Sequence, residues 1–347
     1  MTLFTRMIRT TRLHLMHFLR WMKHAEPHFS MEWFMTLLVL LLTISALRCP
    51  TWRPTIYVPI SAMEKELWTC PLSEPSTLPL CPLVPSGLPR YLRVSRRVNQ
   101  TLLDRIAGEV EPGGRWRPKH CRAQQRLVVL VPYRDRAMHL ALFLQHIHPL
   151  LQSQLLDYSI YVIEQSAEHD FNRAKLFNIG FAEATKELSD ACCFVFHDVD
   201  LLPESGANLY ACGRHPRHMC AALDSFRYVL PYPELFGGVV AMHRQHFEAL
   251  GGFSNRFFGW GGEDDDLAAR VKKAGLDIVR WEPKLSMYSA LSHIPAAPNP
   301  ARHEILREHH DNDGLSTLSY KLLKHELRGL YTNLLVDVGD VKARTDS

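Results

Sequence analysis

The chain has 347 residues, of which 46% are hydrophobic and 22% charged, so its composition is that of a globular protein and excludes a fibrous or disordered chain. The net charge of +4 equals the charge of residues 1–30, where five basic residues oppose one acid. The remaining chain is neutral overall, which excludes a strongly basic, nucleic-acid-binding body.

The first predicted element is an apolar helix. Trp33–Leu47 carries no charged residue, and we predict a transmembrane signal anchor over residues 31–48, although ~20 apolar residues are typical of a membrane span. The basic residues before it place a tail, residues 1–30, in the cytoplasm and the body in the lumen. A short span fits an early secretory membrane, which is relatively thin. A cleaved signal peptide is the main alternative.

Residues 49–120 are rich in proline and lack sustained periodicity, which predicts a lumenal stem that leads into the catalytic region, with a helix within 92–110. None of the eight cysteines has the Cys-x-x-Cys spacing of a metal site. In an oxidising lumen disulfides are favoured, with buried free thiols as the alternative. Asn99 begins the only Asn-x-Ser/Thr sequon and is a candidate glycosylation site.

Strands and helices alternate from Arg126 onward, within a catalytic domain assigned to residues 121–347. This pattern predicts an α/β fold with a mostly parallel twisted sheet flanked by helices, an architecture that often binds nucleotides. Pro132 is expected to end the first strand. The predicted strands are 127–131, 158–163, 194–196 and 238–242, and the predicted helices are 138–150, 171–186, 244–250 and 263–274.

Two carboxylates, Asp198 and Asp200, follow the buried strand at 194–196. Side chains alternate along a strand, so we expect both to point the same way at the carboxyl end of the sheet, where ligands bind in open α/β folds. Such a pair suits a hard divalent cation, which in turn suits a pyrophosphate. An acidic strand-to-turn junction is the alternative.

Three other motifs carry polar chemistry. The basic turn at 132–136 and the helix start at 171–175 suit phosphate binding. Taken alone, the first is better explained as a solvated turn, and ordinary helix capping explains the second equally well. The segment 258–266 joins a Gly-Trp-Gly-Gly stretch to four consecutive acids. The glycines predict a mobile segment and the tryptophan a face for a sugar. Repulsion among the acids is expected to raise at least one pKa, which suits a general base; a solvated acidic cap is the alternative.

Six motifs are distinctive, and they are FNRAKLFNIGF at 171–181, FVFHDVDLLP at 194–203, LPYPELFGGVVAM at 230–242, FFGWGGEDDDL at 257–267, PNP at 298–300 and NDGLSTLSY at 312–320. In their order and spacing, the region between about Cys81 and Gly339 resembles the β1,4-galactosyltransferase family. The resemblance implies a GT-A-type nucleotide-sugar glycosyltransferase fold, and a Golgi membrane protein with a single type II anchor and a lumenal catalytic domain.

The resemblance also implies residue roles on the donor side. Asp200 and His293 match the ligands of Mn²⁺ or another divalent cation. Trp260 matches the tryptophan of a flexible loop that closes over both substrates. The full set that it implies for the UDP-sugar donor is Pro132, Arg134, Arg136, Phe171, Arg173, Asp198, Val199, Leu235, Gly238 and Trp260.

On the acceptor side, the resemblance implies that Asp264 is the catalytic base and that Glu263 and Asp265 orient the acceptor. The implied acceptor-binding residues are Tyr232, Glu263, Asp264, Arg302 and Leu306. Two disulfides are implied, Cys81–Cys121 and Cys193–Cys212. Cys49, Cys70, Cys192 and Cys220 are left without assigned partners.

The sequence departs from the family pattern at three positions. Ala290 stands where the family usually has a metal-binding methionine, and Met287 is out of register, so water is expected to complete the coordination. Leu235 stands where galactosyltransferases commonly have tyrosine, which leaves room for the N-acetyl group of a GalNAc donor, as in invertebrate N-acetylgalactosaminyltransferases. His303 replaces an aromatic residue beside the acceptor.

The function that we predict is inverting β1,4-transfer of GalNAc from UDP-GalNAc to the terminal β-GlcNAc of a glycoprotein or glycolipid. UDP-galactose is the alternative donor. A metal-dependent phosphohydrolase or nucleotidyltransferase and a non-catalytic membrane protein that binds UDP or sugar are the alternatives of other classes. A homodimer or an accessory protein is a candidate partner, and no nucleic acid is expected.

Overall fold

A computed structural model describes residues 31–48, 57–70, 77–294, 296–308 and 312–339. The chain divides into two compact units, Met1–Pro54 and Thr55–Ser347. The predicted cytoplasmic tail, residues 1–30, lies outside the described residues, as does Cys49.

The first unit contains one described helix, α1 (Met31–Arg48), at the position of the predicted anchor. Within the ranges given above, no helix combines the length and the apolar character that crossing a membrane requires.

The second unit is built on a seven-stranded sheet with two smaller sheets beside it. Its strands are β1 (Tyr57–Val58), β2 (Arg126–Tyr133), β3 (Asp157–Gln165), β4 (Cys193–His197), β5 (Leu201–Pro203), β6 (Arg217–His218), β7 (Ala222–Leu223), β8 (Val239–His243), β9 (Arg280–Trp281), β10 (Met287–Ala290), β11 (Lys321–Leu327) and β12 (Thr332–Asp337). Its helices are α2 (Met63–Glu66), α3 (Gln100–Glu109), α4 (Ala137–Ser153), α5 (Arg173–Glu187), α6 (Arg244–Ala249), α7 (Glu263–Lys273) and α8 (Arg302–Arg307).

The main sheet has the order β11-β12-β3-β2-β4-β8-β6. The central pairings β12–β3, β3–β2 and β2–β4 are parallel, whereas β11–β12, β4–β8 and β8–β6 are antiparallel. The sheet is therefore mixed rather than mostly parallel. A parallel β4–β8 pair would need a crossover helix, and the segment between these strands contains only short strands and a single short helical turn.

Central strand β2 separates two hydrophobic cores. Leu127, Val129 and Val131 contribute to the core that includes α4, whereas Val128 and Leu130 contribute to the core that includes α5. This alternation follows from the two-residue period of a strand, and burial on both faces explains why its sequence is a continuous apolar run.

Pro132 does not end β2, contrary to the prediction. The strand continues through Tyr133, and Pro132 pairs with Ile163 of β3. The pairing of β2 with β4 stops earlier, at Leu130 and Phe196. Proline lacks an N–H group, which is tolerated where one side of a strand has no neighbour.

Residues 57–70 and 77–120 belong to the second unit, where part of the predicted stem packs against the catalytic region. Met63 and Leu67 are buried in a small core with Trp281. The predicted helix within 92–110 is shorter, as α3, and Asn99 caps it by accepting the Leu102 N–H at 3.0 Å.

Three disulfides join the described part of the chain. Cys81–Cys121 and Cys193–Cys212 are both present, and Cys70–Cys192 is a third that the sequence did not assign. Cys220 is a buried free thiol.

Candidate active site

The two carboxylates after β4 have different partners. The strand ends at His197, and the Asp198 N–H donates to the Gly238 carbonyl at 3.1 Å. Nε of Arg173 donates to Oδ1 of Asp198 at 2.5 Å. Oδ2 of Asp200 instead lies 2.8 Å from Nε2 of His293. We expected both side chains to point the same way because side chains alternate along a strand. That argument does not apply here, because the strand ends before Asp198.

Asp200 and His293 fit a divalent cation. The Leu291 N–H donates to the Asp200 carbonyl at 2.8 Å, which ties the Asp200 turn to the segment that carries His293. Nδ1 of His293 lies 2.9 Å from the carbonyl of Ile294 and 3.2 Å from the guanidinium of Arg136. Nε2 donates to Asp200 at 2.8 Å, and in a metal-bound form it would lose that proton and offer its lone pair, while Nδ1–H would donate to the Ile294 carbonyl.

Ala290 brings no ligand to this site, and its backbone is held by two residues that the sequence did not single out. Oδ1 of Asp224 accepts the Ala290 N–H at 2.8 Å, and Arg96 donates to the Ala290 carbonyl at 2.8 Å. These contacts position the end of β10 just before His293. No local pattern marks either residue, because each acts on a segment far away in the chain.

Among the residues that the structure describes, three ligand-type side chains come within 4.8 Å of one another at one place, which is formed by Cys70, Cys192 and His243. The two sulfur atoms there are joined in a disulfide. Asp200 and His293 are thus a two-ligand site, and solvent or phosphate oxygens would complete the shell of a cation.

Arg173 connects the end of β4 to the acidic helix α7. Besides Asp198, its guanidinium contacts Oε1 of Glu263 at 3.3 Å and the carbonyl of Gly238 at 3.3 Å. Burial raises the pKa of Asp198 to about 6, although Arg173 opposes the rise. Arg173 therefore holds the strand end, the glycine turn and the helix together, in addition to its implied role at the donor.

Helix α7 begins with four acids in different surroundings. Burial is the largest cause that raises the pKa of Glu263 to about 7, and the neighbouring Asp264 adds to it. Burial also raises the pKa of Asp265, whose Oδ1 accepts the hydroxyl of Tyr232 at 2.9 Å. The expected rise of a pKa is found, but desolvation contributes more than repulsion among the acids.

Asp264 lies against the turn that carries Gly237. Its Oδ1 accepts the Asp265 N–H at 3.1 Å, and a Cβ at Gly237 would lie 2.5 Å from its Oδ2. Leu235, half-buried, precedes this turn. The residue with an implied effect on the donor thus lies two positions before the glycine that the implied base approaches.

The tryptophan loop meets the acceptor residues. Trp260 is 58% exposed, and its carbonyl accepts the Asn299 N–H at 3.0 Å. The guanidinium of Arg302 lies 6.0 Å from the centre of the Trp260 ring. Leu306, on the same short helix α8, is half-buried. Gly261 and Gly262 both have φ near 99°, a conformation that glycine adopts readily.

The arginine turn and Phe171 also meet, next to the tryptophan loop, since the Phe171 carbonyl accepts the Gly259 N–H at 2.9 Å. The guanidinium of Arg134 lies 5.3 Å from the centre of the Phe171 ring and donates to the His169 carbonyl at 2.8 Å. Val199 is different: it is 8% exposed and packs in a hydrophobic core, so its side chain is not available to a ligand.

The site combines three features. A carboxylate and an imidazole converge for a divalent cation, arginines are suited to phosphate, and a helix with four acids begins beside an exposed tryptophan. These are the parts of a metal-dependent transferase that uses a nucleotide sugar.

Comparison with known proteins agrees with this class. The model of the N-terminal region of glycosyl transferase group 7 matches residues 81–213, and that of the N-terminal domain of galactosyltransferase matches residues 217–294. The chain is 43% identical over 277 residues to bovine β-1,4-galactosyltransferase 3, which covers 77% of this chain and 70% of that protein. It is 46% identical over 231 residues to β-1,4-galactosyltransferase 4 of Cricetulus griseus, which covers 65% of this chain and 67% of that protein.

Solved structures resemble the second unit. The catalytic domain of Drosophila β1,4-galactosyltransferase 7 with xylobiose has a TM-score of 0.55 and 29% identity, and covers 62% of this chain and 95% of that chain. A mutant of that protein with manganese, UDP-Gal and xylobiose has a TM-score of 0.56, 28% identity and the same coverage. The chain belongs to the β1,4-galactosyltransferase family and is a glycosyltransferase.

Proposed function

We propose that this chain is an inverting, metal-dependent β1,4-glycosyltransferase that moves GalNAc from UDP-GalNAc to the terminal β-GlcNAc of a glycoprotein or glycolipid. The observation that carries the reaction is the 2.8 Å approach of Asp200 to His293, together with Asp264 at the start of α7. The observation that carries the choice of donor is Leu235, which adds no hydroxyl beside Gly237.

Asp200 and His293 would hold Mn²⁺, whose positive charge stabilises the negative charge of a departing diphosphate. The solved relative with manganese and UDP-Gal supports this choice of metal. Arg173 holds Asp198 and Gly238 beside this pair, so it fixes the end of the strand from which Asp200 follows.

Asp264 accepts the proton of the acceptor's 4-hydroxyl group as that oxygen attacks the anomeric carbon of the donor. The new carbon–oxygen bond forms as the bond to the diphosphate oxygen breaks, and the bonding electrons leave with UDP. One displacement on an α-linked donor gives a β-linked product. Gly237 leaves space at Oδ2 of Asp264, and Tyr232 orients the adjacent Asp265.

Trp260 and Arg302 cover the reacting groups. The exposed ring and the guanidinium 6.0 Å from its centre lie on segments rich in glycine and proline, which suits closure over bound substrates. Closure excludes water, which would otherwise compete with the sugar as the acceptor. We place this reaction in the Golgi lumen, behind an anchor at residues 31–48.

The test is a panel of UDP-GalNAc, UDP-galactose and UDP-GlcNAc against one β-GlcNAc acceptor with Mn²⁺, run on the unmodified protein and on Leu235→Tyr. We expect UDP-GalNAc to have the highest kcat/KM, and Leu235→Tyr to move the preference towards UDP-galactose by at least tenfold. Leu276→Tyr, on the loop after α7, is a control for the added bulk and should leave the preference unchanged.

UDP-galactose is the second candidate donor, because the curated relatives are named galactosyltransferases. A higher kcat/KM for UDP-galactose in the unmodified protein would overturn the GalNAc proposal and keep the transferase. Metal-dependent binding of UDP without transfer from any donor would favour a non-catalytic binding protein instead.

A further inference from the structure

Segment 232–238 lines the candidate site, and a buried arginine outside the site contacts this segment. Arg280, in β9, is 4% exposed. Its Nη2 donates to the carbonyls of Pro233 and Leu235, at 2.8 and 2.7 Å. One guanidinium nitrogen thus fixes the backbone on both sides of Glu234.

The same guanidinium begins a directed chain of hydrogen bonds. Nε of Arg280 donates to Nδ1 of His218 at 3.1 Å, so Nε2 of His218 carries the proton. Nε2 lies 3.4 Å from Sγ of Cys220, and the thiol donates to the carbonyl of Gly237 at 3.4 Å. Burial lowers the pKa of His218 to about 3, which agrees with a neutral imidazole that accepts at one nitrogen and donates at the other.

The segment held in this way touches both substrates' implied sites. Tyr232 donates to Asp265, Leu235 is the residue with an implied effect on donor size, and the Cα of Gly237 faces Oδ2 of Asp264. A small shift of this segment would therefore change the space beside the base and the space for the donor together.

Arg280, like the buried Arg217, has only neutral hydrogen-bond acceptors, and what distinguishes Arg280 is that two of them lie in segment 232–238. In the part of the chain that the structure describes, no carboxylate lies within 4.0 Å of its guanidinium, and its hydrogen-bond acceptors are His218 and two backbone carbonyls. Burying a guanidinium without a carboxylate is costly, so a hydrophobic residue would serve the core better if packing were the only requirement.

We propose that Arg280 is a positioning residue for sugar transfer, which fixes segment 232–238 against α7 directly and through His218 and Cys220, and so sets donor selectivity. This inference rests on the proposed function. It adds a residue that touches neither substrate and that no motif of the sequence marks.

Arg280→Met and Arg280→Lys test this proposal, with Arg217→Met as the matched control. Arg217 is also buried, and its guanidinium lies 3.7 Å from the centre of the neighbouring Trp281 ring. Its side chain donates to Leu209 and Asn208, and among the described residues none of its side-chain hydrogen bonds reaches segment 232–238. The measurements are kcat and KM for both donors and for the acceptor, the Kd of UDP with Mn²⁺, thermal unfolding, and amide hydrogen exchange.

We expect Arg280→Met to lower kcat/KM about 10- to 100-fold, since misplacement by about 1 Å has effects of this size. The ratio of kcat/KM for UDP-GalNAc to that for UDP-galactose should move towards one, while the Kd of UDP stays within threefold. Arg280→Lys, which keeps the charge and a donor, should recover part of the loss. Amide hydrogen exchange should become faster in segment 232–238 and stay unchanged in α5.

Arg217→Met should lower thermal stability and leave the donor ratio unchanged. Cys220→Ala is the second variant if Arg280→Met does not fold; it removes the contacts of the thiol with Gly237 and His218 and the acceptor of the Val239 N–H, and leaves the bonds of Arg280 in place. The proposal would be overturned if the folded Arg280 or Cys220 variants kept the ratio of kcat/KM for the two donors and also kept the amide hydrogen exchange of segment 232–238 as in the unmodified protein. Faster exchange confined to 232–238 supports it even if neither donor is transferred, which separates its failure from that of the proposed function.

Discussion

Oδ2 of Asp200 lies 2.8 Å from Nε2 of His293, because Asp200 directly precedes β5, which pairs with β10, the strand that leads to His293. The backbone bond from Leu291 to Asp200 and the two bonds that hold Ala290 keep the segments together. The pair is thus positioned by contacts of the backbone and not by the loop of His293 alone.

His293→Ala should therefore weaken binding of Mn²⁺, because it removes one of the two protein ligands. We expect the Kd of Mn²⁺, and the Kd of UDP in the presence of Mn²⁺, to rise at least about tenfold in titration calorimetry, since losing even a hydrogen-bond partner of a metal ligand costs about 10- to 100-fold in metal affinity. His325→Ala is the control, because His325 pairs with Glu187 at 3.2 Å on edge strand β11. Equal Mn²⁺ affinity in both variants would contradict the assignment of the metal site.

Gly237→Ala should lower transfer more than its effect on folding explains. The added Cβ would lie 2.5 Å from Oδ2 of Asp264, so the carboxylate must move. We expect kcat to fall at least about tenfold with UDP binding unchanged. Gly108→Ala, on α3, is the control, because the added Cβ would have no heavy atom within 4 Å. It should leave kcat unchanged and raise the free energy of unfolding by up to about 1 kcal/mol. Wild-type kcat in Gly237→Ala would show that Asp264 does not act from this position.

The double variant Cys70→Ser, Cys192→Ser should lower the free energy of unfolding by about 2–5 kcal/mol, because the bond closes a sequence separation of 122 residues. Removing Cys81–Cys121, with a separation of 40 residues, should cost less. Urea unfolding of the oxidised proteins measures both. No loss in the first variant would show that this disulfide is absent in solution.

Glu263 should make stability depend on pH. Burial raises its pKa in the folded protein to about 7, whereas a glutamate in an unfolded chain titrates near pH 4.3, at about its ordinary value. The folded state binds more protons than the unfolded state between about pH 4.3 and 7, so this residue lowers the free energy of unfolding as pH rises through that window.

Glu263→Gln should remove this contribution and make the fall in stability with pH shallower by at most about 1.4 kcal/mol per pH unit. Urea unfolding at pH 5, 6 and 7 measures the slope. Glu183→Gln is the control: burial raises the pKa of Glu183, but hydrogen bonds from Lys186 and Tyr320 outweigh it and lower the pKa. Its stabilisation is lost only at lower pH, so the slope above pH 5 should match the wild type. An unchanged slope in Glu263→Gln would refute the raised pKa.

The sequence predicts the buried strands and the acidic helix because their signals are local. β2 and β4 contain continuous apolar runs, the centre of β3 is apolar from Ile160 to Ile163, and α7 begins where Gly262 meets Glu263. Strand direction is not local, so the antiparallel pairing of β4 with β8 was not predicted. Pro132 shows the same limit, since whether it ends a strand depends on which neighbour lies beside it.

The residues of the candidate site divide in the same way. Asp200 and Asp264 lie in distinctive local motifs, and the resemblance to a family assigns each of them its implied role. Cys192, Asp224 and Arg280 act through partners in remote parts of the chain, and no spacing in the sequence reveals those contacts. Val199 differs from these residues: it lies inside a motif that suggests a ligand site, but its side chain packs in a hydrophobic core.

The most direct test of the central claim, that Asp264 is the base of a metal-dependent transferase, compares Asp264→Asn with Asp266→Asn. Asp266 is the matched control, because it lies on the same helix and pairs with Arg270 at 2.7 Å. Product formation from the preferred UDP-sugar and a β-GlcNAc acceptor is measured together with the Kd of UDP in Mn²⁺. We predict that Asp264→Asn lowers kcat about 10²- to 10⁴-fold with the Kd of UDP unchanged, and that Asp266→Asn keeps most of its activity. Undiminished turnover in Asp264→Asn would contradict the claim.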